Sequence, residues 1–168
     1  MKLYAKKKLL SWTQDFSIMN EQDEVVYTAK GQHDLLGRRK LRILDTYGNE
    51  LAFIKQRAAA FSTTMDVLVN GYESLTIRKK MLSFRPTFLI EGEDWIVRGN
   101  FLSYEYTIED GNGRVVAEIS KKFFQWRDTF GIDIIDKSVN VAHVIAIVMA
   151  IHTDMQESNT VAATSATL

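Results

Sequence analysis

The chain repeats itself, and the repetition limits what it can build. Lys7-Lys8-Leu9-Leu10-Ser11-Trp12 returns 72 residues later as Lys79-Lys80-Met81-Leu82-Ser83-Phe84, and Phe16 and Ile18 meet Phe88 and Ile90 at the same spacing. Farther on the spacing becomes 65: Ile43, Asp45, Gly48, Ala52, Ile54 and Thr64 meet Ile108, Asp110, Gly113, Ala117, Ile119 and Thr129. The change of spacing gives the first copy seven extra residues, and 32–40 is the natural place for them. Two blocks that agree in this way predict a duplicated unit, with copies over 1–71 and 72–136.

Each copy reads as short strands. Leu102, Tyr104, Tyr106 and Ile108 share one face, and Ser103, Glu105, Thr107 and Glu109 the other, the period of two that marks a half-buried strand. The turn sequences at 45–49 and 109–113 are rich in Asp, Asn and Gly, residues that accept tight hairpin geometry. The same pattern predicts strands at 2–8, 15–20, 24–30, 38–45, 50–57 and 64–70, then at 73–80, 87–91, 94–99, 102–109, 114–121 and 128–135. Twelve strands with a turn every eight to twelve residues indicate a mainly β fold, a sandwich or barrel. Pro86, the one proline, falls at a strand start, where it costs no ladder hydrogen bond.

The last element departs from this period. Asp136-Lys137-Ser138 offers capping oxygens, and 139–155 reads as a helix whose apolar residues point in every direction through Ile151. Such a helix must be enclosed, and a closed sheet of twelve strands leaves space that must be filled. The expected fold is therefore a twelve-stranded antiparallel closed barrel around a buried C-terminal helix. It forms a single domain over 1–157, followed by a disordered Ser/Thr/Ala-rich tail at 158–168.

Composition excludes several function classes. Cysteine is absent, which removes disulfides, thiolate catalysis and Cys-ligated metals. Lys and Arg balance Asp and Glu at 21 each, which argues against bulk electrostatic binding of nucleic acid. The basic N-terminus has no apolar run behind it, so the expected location is cytoplasmic, with peripheral membrane contact open.

Asp94-Trp95-Ile96-Val97-Arg98-Gly99-Asn100-Phe101, Tyr106-Thr107-Ile108-Glu109-Asp110, and Ile119-Ser120-Lys121-Lys122 followed by Trp126-Arg127-Asp128-Thr129-Phe130 resemble the LURP-one-related proteins. These share the Tubby C-terminal fold. The resemblance implies a twelve-stranded antiparallel barrel threaded by a C-terminal apolar helix, an architecture shared with the phosphoinositide-binding Tubby domains and the phospholipid scramblases. It carries over no catalytic residue and no cofactor.

Three histidines, His33, His143 and His152, are the candidates for proton transfer near neutral pH. His143 and His152 stand nine apart on the helix and point in opposite directions, so a joint metal site there is not expected. His143 reads as an imidazole hydrogen-bonded inside the barrel. Gly111-Asn112-Gly113 is a turn rather than a phosphate cradle. Lys7 and Lys79 fall in the inward parity of their strands, near a barrel mouth, where each would snorkel outward or meet an acid. The sharpest cluster is Arg38-Arg39-Lys40-Leu41-Arg42 beside Leu35-Leu36. Cations next to apolar residues suit an anionic headgroup layer, each contributing about 1 kcal/mol near such a surface. The plainer reading has Leu35 and Leu36 covering a barrel end while the cations face water. The expectation is a non-enzymatic binding module for anionic phospholipid or a membrane surface. It carries no catalytic, metal or cofactor site and binds no nucleic acid. A protein-interaction scaffold, or a small-ligand carrier, is the alternative.

Overall fold

Inward apolar side chains alternate with outward polar ones along nearly every strand, and this alternation closes the sheet. The computed structural model describes residues 1–8, 15–58, 63–80, 86–121 and 129–165, with helix side chains as far as Gln156. The first copy forms β1 (Lys2–Lys7), β2 (Phe16–Met19), β3 (Val25–His33), β4 (Arg39–Asp45), β5 (Glu50–Gln56) and β6 (Thr64–Val69). The second forms β7 (Tyr72–Lys80), β8 (Thr87–Glu91), β9 (Trp95–Asn100), β10 (Glu105–Glu109), β11 (Val115–Ser120) and β12 (Thr129–Ile134). Each strand pairs with the next, and β12 pairs antiparallel with β1 to close the barrel.

The repetition persists in the register. Leu3 lies opposite Ile132 as Leu75 lies opposite Val67, and Ile43 opposite Ala52 as Ile108 lies opposite Ala117. Bulges fall at matching places, between Ile43 and Leu44 and between Ile108 and Glu109, where one extra residue bends the strand around the curve.

The helix α1 (Val141–Ser165) runs through the barrel, and every residue from Val144 to Ala150 is fully buried. Burial continues out to His143 and Asp154. At 1.5 Å per residue that enclosed stretch is about 18 Å long, close to the roughly 20 Å height of a six-residue strand. Two helix expectations need correction. The cap is Asn140, whose Oδ1 accepts the Ala142 N–H at 2.9 Å; Asp136 instead accepts from the Ser138 N–H at 2.9 Å and its hydroxyl at 2.6 Å. The helix also runs past 155, so 158–165 is helical rather than disordered. Extending a helix from an enclosed nucleus adds one bond per residue fixed, and this stretch includes Ala, the best helix former. Residues 166–168 lie outside the described residues. No helix among the described residues is long and apolar enough to cross a membrane.

The hairpin turns alternate between two rims, and the rims differ in charge. At the lower rim, where the helix enters, the turns carry Glu21, Asp23 and Glu24, then Glu91, Glu93 and Asp94. At the upper rim the strand ends carry Lys6, Lys7 and Lys8, then Arg38, Arg39 and Lys40, then Arg78, Lys79 and Lys80. A net charge of zero therefore hides a separation along the barrel axis.

Candidate functional site

The cluster singled out at 38–42 does not stay together. In a strand, a run of cations is split between two faces. Arg39 points inward and is buried, with Nη2 3.5 Å from Asp154 Oδ1. Arg38 sits half-buried at the rim, its Nε donating to Asp34 Oδ2 at 2.8 Å. Arg42 lies lower on the outer wall, donating to Glu50 Oε2 at 3.2 Å and resting 5.3 Å from the centre of the Phe53 ring. Of the run, Lys40 and Arg42 remain on the outer wall and Arg38 at its upper edge.

That wall has two cations the sequence reading missed. Lys40 lies directly opposite Lys55 of β5, and Arg42 directly opposite Lys30 of β3. Four cations thus meet on the outer face of three adjacent strands. Like charges directly opposite each other destabilise a sheet; Glu50 pairs with Arg42, and on the β6 side Asp66 lies directly opposite Lys55. Their grouping needs the three-strand register, which spacing within one strand does not reveal.

Above this wall the β3–β4 turn holds Leu35 and Leu36 in water, 105% and 78% exposed. Asp34 builds the turn: its Oδ1 accepts the Leu36 N–H at 2.9 Å and the Arg38 N–H at 3.0 Å. Burial works against the charge of Asp34, but the hydrogen bonds from Arg38 and Leu36 outweigh it and hold the carboxyl below its ordinary value. The leucines do not cover the barrel end; the Asp34-bonded turn presents them outward.

Inside the upper mouth the inward lysines behave as their parity predicts. Lys79 donates to Asp154 Oδ2 at 2.8 Å, so Asp154, 2% exposed, gathers Arg39 and Lys79 from two strands. Lys7, from the opposite wall, donates to the neutral Gln156 Oε1 at 3.3 Å. His152 lies in an aromatic box, its ring centre 4.8 Å from Phe16, 5.2 Å from Tyr104 and 5.5 Å from Phe130. Burial first, then the charges of Lys7 and Lys121, pulls the His152 pKa down to about 3, so the ring is neutral.

At the lower mouth His143 is hydrogen-bonded inside the barrel as expected. Its Nδ1 lies 2.6 Å from Glu93 Oε1 and its Nε2 2.7 Å from Ser74 Oγ. A carboxylate oxygen accepts, so the Nδ1–H donates to Glu93, and Nε2 shares a hydrogen bond with the Ser74 hydroxyl. The three residues come from α1, the β8–β9 turn and β7, and together they pin the helix to the wall. Among the described residues, no group of three or more metal-binding side chains comes together.

With this geometry in place, likeness to other proteins can be read. The family model described as LURP-one-related matches residues 1–152, which takes in the barrel and the helix as far as His152. The uncharacterised protein YxjI of Bacillus subtilis (strain 168) is 27% identical over 161 residues, covering 94% of this chain and 98% of its own. An X-ray structure of a protein from Arabidopsis thaliana matches with a TM-score of 0.51 at 16% identity, over 92% of this chain and 91% of that one, a likeness of fold. The chain therefore belongs to the LURP-one-related family.

Proposed function

We propose that the protein is a non-enzymatic binding module that docks on an anionic lipid surface through the outer wall of β3, β4 and β5. The observation that carries this reading is the placement of Lys30, Arg42, Lys40 and Lys55 on one face beneath Leu35 and Leu36. The opposed pairs Lys30–Arg42 and Lys40–Lys55 cost stability in the free protein, and a negative surface beside them offsets that cost. The exposed leucines enter the acyl boundary while the cations meet headgroups, each adding about 1 kcal/mol. Such a protein works as a peripheral protein of a cytoplasmic membrane face.

Vesicle co-sedimentation at two salt concentrations tests this. The protein should pellet with anionic vesicles and not with neutral ones, and less at high salt, because charge attraction is screened beyond about 8 Å at physiological ionic strength. Replacing Lys30, Lys40 and Lys55 by Gln should cost up to about 3 kcal/mol, roughly a hundredfold in affinity. Wild-type protein that ignores anionic vesicles at low salt would end the lipid reading and favour a protein partner.

A further inference from the structure

The two halves of the barrel meet the upper end of the helix with unequal partners. On one wall Lys79 and Arg39 share the carboxylate of Asp154. At the repeat spacings of 72 and 65, the residue matching Lys79 is Lys7 and the residue matching Arg39 is Tyr104. Where Lys79 finds an acid, Lys7 donates to a neutral amide. Beside it, His152 is 6% exposed and its Nε2 has no hydrogen-bond partner among the described residues. A buried polar atom left unpaired is costly and calls for an explanation.

Two small cavities open at this place. One, of about 10 Å³ and so about the size of a single water, is bounded by Lys7, Lys121, Thr129 and Gln156 together with His152 and Tyr104. The other, of about 30 Å³, has Phe101, Ile151 and Met155 in its wall beside the polar groups of Gln156 and His152. It also meets Tyr106, whose buried hydroxyl has no hydrogen-bond partner among the described residues. Tyr104 and His152 border both. Tyr104 has φ of 57°, a left-handed conformation that strains a bulky residue. Its ring is stacked 4.9 Å from Phe130, between the two cavities. Close packing below it depends on Gly99, φ 143°, where a Cβ would come within 2.5 Å of the Glu105 carbonyl oxygen.

We propose that this side of the upper mouth binds a small organic anion. Its acid group takes the place that Asp154 holds on the opposite wall, between Lys7 Nζ and His152 Nε2, and its apolar body lies past Tyr104 against Phe101 and Met155. Rotation of the Tyr104 ring joins the two cavities and makes the room. The ligand sits beside the end of the helix rather than in place of it, so the filled barrel does not exclude it. The site lies away from the β3–β5 wall and does not rest on the lipid reading.

Titration of the full chain with benzoate tests it, followed by the NMR signals of the His152 and Tyr104 rings and by the melting temperature. Methyl benzoate serves as the neutral isostere and inorganic phosphate as the bare anion. Benzoate should shift both ring signals saturably and raise the melting temperature, with the ester and phosphate each weaker by about tenfold or more. Lys7→Gln should weaken benzoate by about tenfold or more. Lys7→Met, which keeps the stem, repeats that comparison if the Gln variant does not fold. Lys137→Gln, exposed at the lower rim, should bind as wild type. The proposal is overturned by the absence of a saturable shift at millimolar benzoate, by ester or phosphate binding as tightly as benzoate, or by Lys7 variants of unchanged affinity.

Discussion

Asp154 pairs with two cations inside the upper mouth, and its removal would break both pairs. Breaking a buried pair by removing one partner typically costs about 3–5 kcal/mol, because the remaining charge is stranded. Asp154→Asn should therefore lower the unfolding free energy by about that amount in urea denaturation. Glu50→Gln, which removes only an exposed pair with Arg42, should cost under about 1 kcal/mol. Equal losses would contradict the inward placement of Arg39 and Lys79. His152 makes a second test, through pH. With its folded pKa near 3 and an ordinary value of 6.5, the unfolded chain takes up a proton between these limits that the folded chain refuses. Stability should thus be flat in this term above about pH 6.5 and fall as the pH drops toward 3. His152→Phe keeps a ring in the aromatic box and removes the titration. Between about pH 7 and about pH 5 the variant should gain on wild type by about 2 kcal/mol. A constant difference between the two would mean that His152 is not buried as a neutral ring.

Among the elements, the helix is the one the barrel cannot lose. Without it the inward side chains of all the strands would face water, and at roughly 25 cal/mol per Å² that loss exceeds the typical ~5–15 kcal/mol of stability. A chain ending before Val139 should show no cooperative melt, whereas one ending at Glu157 should melt near the full-length temperature, because the buried part of α1 ends at Asp154. A monomeric, cooperatively melting short chain would contradict the filled barrel. The strands and the helix were legible because each carries its own period. The helix start was not: Asp136 and Ser138 are good caps, but they bond each other, and Asn140 does the capping. The inward course of Lys79 was readable from parity. The same parity applied to 38–42 would have sent Arg39 inside, but a run of cations reads as one patch until the strand divides it. Lys30 and Lys55 were out of reach, since their neighbours on the wall are set by pairing across three strands. His152 and Tyr104 lie 48 residues apart, and only the closed barrel brings them together.

At the scale of the whole molecule, zero net charge conceals a barrel with an acidic lower rim and a basic upper one. A body with that separation turns its basic end and the β3–β5 wall toward a negative surface before it touches it. The chain has no cysteine, so a single introduced cysteine can carry an environment-sensitive dye at one chosen point. Leu36→Cys places the dye at the exposed β3–β4 turn of the upper rim, and Tyr47→Cys places it at the exposed β4–β5 turn of the lower rim. With anionic vesicles at low salt, the dye at position 36 should shift to the blue as it enters the acyl boundary, and the dye at position 47 should keep its aqueous spectrum. No shift at position 36, or equal shifts at both positions, would contradict docking through the β3–β5 wall.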